Sequence, residues 1–96
     1  MRLKWTRRAL NQLVAAQDYI AQDNPTAAHE IGQRIHEALT LLLTQPEMAR
    51  AGRIAGTREW VVDRTPYFLV YRITSDTLEV LGVIHGKQNW PPTRQR

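Results

Sequence analysis

The N-terminal half of the chain places its apolar residues in a pattern that predicts a short strand followed by a helix. Residues 2–5 alternate polar and apolar side chains, as a half-buried strand does, so Leu3 and Trp5 are expected to face the core. Thr6 is a suitable N-cap, and the helix after it carries apolar residues close to helical spacing, namely Leu10, Leu13, Val14 and Ile20. We expect this helix to end near Asp23.

A second helix is predicted directly afterwards. Asn24-Pro25 is a helix-start signal, because an asparagine caps well and a proline in the first position loses no hydrogen bond. The apolar residues that follow form one stripe, Ala28, Ile31, Ile35, Ala38, Leu39 and Leu42, and Pro46 marks its end. Two helices joined by such a short link must pack as an antiparallel hairpin.

The C-terminal half changes to strand-like patterning. Residues 45–56 show no period and contain two glycines, which predicts a loop. Three runs rich in β-branched and aromatic residues follow, 57–62, 67–73 and 78–84, separated by turn formers, whereas Gly86 to Arg96 is polar and predicted to be irregular. The order β-α-α-β-β-β predicts an α+β fold in which the helical hairpin packs on one face of an antiparallel sheet, while the other face can meet solvent.

Length and composition narrow the classes of protein that remain. Ninety-six residues suffice for one modest core, so residues 1–96 are predicted to form a single domain. The chain has no cysteine, which excludes disulfides, thiolate zinc sites and cysteine nucleophiles. It has no apolar run of membrane-spanning length and no signal-type segment, so we expect a soluble cytoplasmic protein without a membrane partner.

The positive charge is concentrated in the C-terminal half. The net charge is +4; residues 1–49 hold five Lys/Arg and five Asp/Glu, whereas residues 50–96 hold eight and four. A basic half suits a polyanion or an acidic protein partner, although an ordinary soluble surface explains the charge equally well.

Three segments of the C-terminal half carry a resemblance to a known family. They are Gly56-Thr57-Arg58-Glu59, the tyrosine-rich strand from Pro66 to Arg72, and Val83 to Gln88, which runs from a strand into His-Gly-Lys. Together with the helical hairpin, they resemble the RelE/ParE superfamily of toxins over nearly the whole chain. The resemblance implies a growth-inhibiting toxin of a type II toxin–antitoxin system, of the kind that stabilises plasmids or prophages. It also implies a cognate antitoxin that is acidic and partly disordered when free. Operator DNA would then be contacted only through this antitoxin.

The resemblance leaves the mechanism open between two branches. RelE-like members cut messenger RNA on the ribosome, whereas ParE-like members poison DNA gyrase. The tail carries Trp90 where RNA-cleaving members often have a tyrosine, which favours the gyrase interpretation, with the helical hairpin and the tail contacting the target. A third hypothesis is an interaction module that is no longer toxic.

Under the nuclease hypothesis, the candidate catalytic residues are His85, Arg58, Lys87 and Arg72. RNA cleavage through the ribose 2′-hydroxyl needs a base, a cation for the charged phosphorane and a proton donor. Imidazole titrates near neutral pH, so His85 is the natural acid or base, although a histidine at a strand end is more often structural.

The candidates for binding the target or a nucleic acid are Arg53, Arg58, Tyr71, Lys87 and Trp90. Surface basic residues more often solvate the protein or pair with an acidic partner, and Trp90 could stack on a base or pack the tail against the domain.

Strand alternation places Arg72 on one face with Phe68 and Val70, opposite Tyr67, Leu69 and Tyr71. If the tyrosines are buried beneath the helices, Arg72 points toward the open face of the sheet; otherwise Tyr71 takes that place. The pattern itself does not decide between the two arrangements.

No metal or cofactor is inferred from the sequence. His29 and His36 lie on one side of the second helix, but seven residues separate them by about 10.5 Å along the axis, so they cannot share one ion. The chain has no glycine-rich phosphate loop and no cluster with ligand spacing.

Overall fold

The computed structural model describes residues 1–92, so the end of the predicted irregular tail, residues 93–96, lies outside the described residues. The elements follow in the order β1 (Arg2–Trp5), α1 (Arg7–Ala21), α2 (Pro25–Thr44), β2 (Arg50–Ala51), β3 (Arg58–Val61), β4 (Tyr67–Thr74) and β5 (Thr77–His85). The predicted α+β architecture is confirmed, and β2 is an additional two-residue strand within the predicted loop. Neither helix of residues 1–92 has the length and apolar character needed to cross a bilayer.

Both helices begin at the predicted caps. The Thr6 hydroxyl accepts a hydrogen bond from the Ala9 backbone N–H at 3.1 Å, and the Asn24 side chain accepts one from Ala27 at 3.1 Å. Each cap satisfies a backbone donor that has no partner within the helix. The whole predicted stripe of α2 is buried, namely Ala28, Ile31, Ile35, Ala38, Leu39 and Leu42.

The predicted apolar face of α1 is partly wrong. Leu10 is 45% exposed and Val14 is 53% exposed, whereas Ala9 is completely buried. The side of α1 that packs on the core is defined by Ala9, Leu13, Ala16 and Ile20, which recur at helical spacing and alternate small and large side chains. Leu10 and Val14 lie to one side of this stripe and face outward.

The sheet is mixed, with the strand order β1-β5-β4-β3-β2. Strands β2 to β5 pair antiparallel with their neighbours, as expected, but β1 pairs in parallel with β5, where Arg2 lies opposite Thr77. Because β1 is an edge strand, Leu3 remains 41% exposed, contrary to expectation, and Trp5 is only partly buried against the core.

The sheet buries apolar side chains on both faces. Tyr67, Leu69 and Tyr71 belong to the core beneath the helices, and on the other face Phe68, Val70 and Ile84 form a second buried cluster with Leu81 and Trp90 packed against it. We call this side of the sheet the second face. A β-bulge in β5 accounts for the presence of Leu81 on this face. Val70 pairs with Gly82 and Tyr71 with Val80, which leaves Leu81 as the extra residue. The expectation of a solvent-facing second face is therefore wrong around Phe68, which the tail covers.

Candidate functional site

The burial of the tyrosines decides the orientation of β4. Tyr71 has no exposed surface, and its hydroxyl donates a hydrogen bond to the Pro46 carbonyl at 2.7 Å. Burial raises the pKa of the Tyr71 phenol, while the nearby Arg58 guanidinium acts in the opposite direction. Tyr71, a predicted target-binding residue, is thus a core residue, and Arg72 points to the second face.

Arg72 is held by a carboxylate at the far end of the second face. Its Nε donates to Glu79 Oε1 at 2.7 Å, and Lys4 Nζ lies 4.0 Å from the other oxygen of Glu79. The Glu79 side chain is largely buried, whereas half of the Arg72 side chain is exposed. The guanidinium therefore has one edge committed to Glu79 and the rest turned toward solvent.

Arg58 connects β3 to the segment that follows α2. Its Nη1 donates to the carbonyl oxygens of Glu47 at 3.1 Å and Ala49 at 2.8 Å. Arg58 also lines a shallow cleft of about 280 Å³ together with Thr57 and Ile73. Because its guanidinium binds two backbone carbonyls, Arg58 has a structural role in this arrangement.

His85 and Lys87 lie where β5 ends. The His85 ring packs edge-on against Tyr67, with the ring centroids 5.2 Å apart, and its Nδ1 accepts a hydrogen bond from the Lys87 backbone N–H at 3.1 Å. The His85 backbone N–H donates to Gln88 Oε1 at 3.1 Å. These bonds shape the turn that leads into the tail and leave Nε2 as the imidazole nitrogen available for other contacts.

The structure does not gather the four candidate catalytic residues around one point. Arg58 lies opposite Tyr71, and His85 lies opposite Tyr67, four residues away along β4. Because β3 and β5 flank β4 on different sides, the Cα atoms of Arg58 and His85 are separated by roughly 16 Å, from standard strand geometry. Arg72 lies on the other face of the sheet. His85 and Lys87 are neighbours at the end of β5.

Two of the predicted binding residues, Arg53 and Trp90, do meet on the second face. Arg53 Nη1 donates to the Trp90 carbonyl oxygen at 3.0 Å, and the Arg53 guanidinium carbon lies 5.2 Å from the centroid of the Phe68 ring. The Trp90 ring packs against the cluster of Phe68, Val70 and Ile84. Trp90 therefore packs the tail against the sheet, which was the alternative to base stacking.

Glu59, which the sequence analysis did not single out, lies beneath Arg53. Its side chain is 1% exposed and accepts hydrogen bonds from Arg50 Nη2 at 3.0 Å, the Arg53 backbone N–H at 2.8 Å and Arg53 Nε at 3.2 Å. Burial acts to raise the pKa of Glu59, but these donors outweigh it, and the net pKa is lowered. A useful signal existed in the sequence, since Glu59 is the one acidic residue of residues 50–62, a stretch that also contains Arg50, Arg53 and Arg58.

Comparison with known proteins places this arrangement in a family. The family described as "ParE toxin of type II toxin-antitoxin system, parDE" matches residues 3–90. The chain belongs to the ParE toxin family. Its members are the toxins of type II toxin–antitoxin systems, and the resemblance to RelE/ParE toxins is thereby confirmed.

Individual relatives of this ParE-family chain cover nearly its whole length. A Sinorhizobium fredii protein named "Putative toxin Y4kP" is 43% identical over 90 residues, which cover 94% of this chain and 93% of the relative. "Toxin RelE2" of Caulobacter vibrioides is 36% identical over 82 residues, 85% of this chain and 91% of that protein. A structure titled "Chromosomal ParDE TA system from P. aeruginosa" superposes with a TM-score of 0.79 at 26% identity, covering 88% of this chain and 95% of that one.

The ParE family match extends from Leu3 in β1 to Trp90 in the tail. It therefore includes the parallel edge strand and the tail packed on the second face. Within residues 1–92 of this ParE-family toxin, no group of three or more histidine, aspartate or glutamate side chains is arranged to hold a metal ion. His29 and His36 line a shallow cleft of about 330 Å³ between the helices, together with Gln17 and Gly32.

Proposed function

We propose that this ParE-family toxin arrests bacterial growth by inhibiting DNA gyrase through binding alone, and that a cognate antitoxin neutralises it. The observation that carries the proposal is the dispersal of the candidate catalytic side chains. Arg58 pairs with Tyr71 and His85 with Tyr67, four residues apart along β4 and on different sides of it, and Arg72 is on the other face of the sheet. The family match and the structural likeness to a ParDE system support the same branch.

The bonding of each candidate residue also favours a non-catalytic mechanism. A base, a cation and a proton donor accelerate RNA cleavage only when all of them reach one phosphodiester. The Arg58 guanidinium binds two carbonyl groups, the Arg72 guanidinium binds Glu79, and His85 Nδ1 is occupied by a backbone N–H. Bringing these groups to one phosphate would require breaking those bonds.

The second candidate function is ribosome-dependent cleavage of messenger RNA. It is favoured by the relative named RelE2, which is 36% identical over most of both chains. Within this hypothesis His85 and Lys87 form the most plausible pair, because they are adjacent and both lie at the end of β5. Neither needs the other candidates to be nearby in order to contact a backbone phosphate.

An acidic antitoxin fits the charge of this chain. The net charge is +4, with all the excess in residues 50–96, and exposed basic residues include Arg64 and Lys87. Opposite charge steers association, and a segment that folds on binding can cover an extended surface. We expect operator DNA to be bound through the antitoxin rather than through this chain.

The gyrase proposal is tested with the purified chain, freed from its antitoxin, in a supercoiling and DNA-cleavage assay. We expect loss of supercoiling and accumulation of cleaved DNA as the toxin is titrated against gyrase. Adding the antitoxin beforehand is the control and should restore activity. The proposal would be refuted if a toxin that arrests growth when induced caused neither inhibition of gyrase nor DNA cleavage at a tenfold molar excess over gyrase.

The competing nuclease hypothesis is tested by mapping new RNA 5′ ends within minutes of induction. Under the gyrase proposal, no fresh ends occur at fixed codon positions after induction of the natural chain, His85→Gln or Lys87→Gln. His85→Gln, which lies outside residues 86–92, arrests growth as well as the natural chain does. Codon-specific ends that disappear in these two variants, while both still bind the antitoxin, would establish the nuclease instead.

A further inference from the structure

The tail, residues 86–92, crosses the second face of the sheet. It leaves β5 through Gly86, whose N–H donates to the Pro66 carbonyl at 2.7 Å, and through Gln88, whose N–H donates to the His85 carbonyl at 2.9 Å. Further along, Trp90 packs its ring on the Phe68 cluster. Its indole Nε1 is buried and has no hydrogen-bond partner among residues 1–92, so the indole N–H does not help to hold the ring.

Arg53 supplies the polar attachment that the indole lacks. One guanidinium contacts three groups at once: Glu59 through Nε and Nη2 at 3.2 and 3.0 Å, the Trp90 carbonyl through Nη1 at 3.0 Å, and the face of the Phe68 ring. The planar fork of an arginine can satisfy a carboxylate with one edge while donating to a carbonyl from the other. A lysine, with its single ammonium group, cannot reproduce this geometry.

Glu59 fixes the position of the arginine. Its carboxylate is buried at the base of the second face and also accepts the Arg53 backbone N–H, so it binds both ends of the same residue. This double attachment holds the Arg53 side chain independently of the tail, which lowers the entropy lost when the bond to Trp90 forms.

We propose that Arg53 positions the C-terminal segment, residues 86–92, for contact with the target of the toxin, and that Glu59 acts through Arg53. The inference rests on the proposed function and on the expectation, under the gyrase interpretation of the sequence, that the tail contacts the target. Arg53 is a positioning residue: it sets the path of the tail, and Trp90 is the anchor whose carbonyl it holds.

The chain contains a matched control for this role. Arg50 also donates to Glu59 Oε1, at 3.0 Å, and its side chain is 61% exposed against 47% for Arg53. Arg50→Ala and Arg53→Ala each remove one positive charge and one partner of Glu59. Only Arg53 also reaches Trp90, so a difference between the two variants reports on the tail.

The experiment measures hydrogen exchange of the three tryptophan indole N–H groups by NMR in the ¹⁵N-labelled chain, freed from antitoxin. We expect Trp90 in Arg53→Ala to exchange at least tenfold faster than in the natural chain, while Trp5 and Trp60 are unchanged. In Arg50→Ala all three should exchange at natural rates. General destabilisation would accelerate all three signals, so Trp5 and Trp60 serve as internal controls. If Arg53→Ala does not fold, Arg53→Lys is used, with the same expected release of Trp90.

The functional arm uses the same pair of variants. The toxin concentration that halves gyrase supercoiling should rise at least tenfold for Arg53→Ala and stay within twofold for Arg50→Ala. If Trp90 exchanged equally fast in the two variants, the proposed contact of Arg53 with the tail would be wrong. If Trp90 were released in Arg53→Ala while the potency of the toxin stayed unchanged, the proposed role of Arg53 in target contact would be wrong. If the natural chain does not inhibit gyrase, the proposed function fails; growth arrest by the two variants on induction then tests the positioning role independently of the target.

Discussion

Replacing Glu59 by glutamine removes one buried negative charge and leaves the side-chain volume almost unchanged. The carboxylate lies beneath Arg50 and Arg53 and accepts hydrogen bonds from both guanidinium groups and from the Arg53 backbone N–H. Glutamine keeps one acceptor oxygen but introduces an NH₂ group that faces donors. The variant therefore loses the ion pairs and part of the hydrogen bonding without creating a cavity.

The expected loss of stability is about 2 kcal/mol at pH 7. Hydrogen bonds to a charged group contribute roughly 1.5–3 kcal/mol each. The total is smaller than their sum because glutamine retains some of the bonds and because both arginine side chains are about half exposed, which screens the charge. For a chain of this size, that loss lowers Tm by roughly 8–16 °C.

The loss of stability caused by Glu59→Gln should become smaller at low pH. The pKa of Glu59 in the folded chain lies below its ordinary value of 4.5, so the folded state binds this proton less readily than the unfolded state does. The stabilisation is then complete above about pH 4.5 and is lost as the pH falls through the lower folded value. The difference between the natural chain and Glu59→Gln should therefore narrow below pH 4.5.

Urea unfolding of the natural chain and Glu59→Gln between pH 3 and pH 7 measures this difference. Asp63→Asn is the control, because the Asp63 carboxylate is 85% exposed and pairs with Arg64 at 3.8 Å; its effect should stay within about 0.5 kcal/mol throughout. If the loss in free energy of unfolding caused by Glu59→Gln were constant over this range, or larger toward pH 3, the charge of Glu59 would not be what stabilises the second face.

Four further substitutions test other parts of the fold by urea unfolding. Leu42→Ala should cost about 3 kcal/mol because Leu42 is completely buried, whereas Val14→Ala, at a half-exposed position, should cost under about 0.5 kcal/mol; equal costs would contradict the assigned core. Tyr71→Phe should cost about 1 kcal/mol, since the Pro46 carbonyl loses its donor, and no loss would mean that water replaces the hydroxyl. Arg64→Gly should stabilise by about 0.5 kcal/mol, because the φ of 62° at Arg64 favours glycine; destabilisation would show that the Arg64 side chain matters more than its backbone strain.

The features that depend on neighbouring residues were predictable from the sequence. Both N-caps act within three residues, and the stripe of α2 follows directly from helical spacing, so both predictions are confirmed. The same spacing rule failed for Leu10 and Val14 in α1. Longer apolar side chains are not automatically the buried ones, because the small Ala9 packs in the core instead.

The features that depend on distant partners were not predictable in this way. Strand alternation gave Arg72 and Tyr71 opposite faces, but only the packing of the helices decides which face is covered. The parallel pairing of β1 joins residues far apart in the chain, and no local pattern encodes its direction. The contact between Arg53 and Trp90 spans 37 positions and depends on how the tail folds back, so the two were predicted separately as binding residues but not as partners.

The parallel pairing of β1 with β5 has a consequence during synthesis on the ribosome. The first strand cannot join the sheet until Thr77 and the residues after it exist, and the helical hairpin, complete at Thr44, cannot pack on the complete sheet before then. At roughly 5–20 residues per second, residues 45–85 take on the order of 2–8 s to make. For those seconds the apolar stripe of α2 lacks the complete sheet that covers it in the folded chain, so a chain that ends before β5 lacks the folded surface of the finished protein.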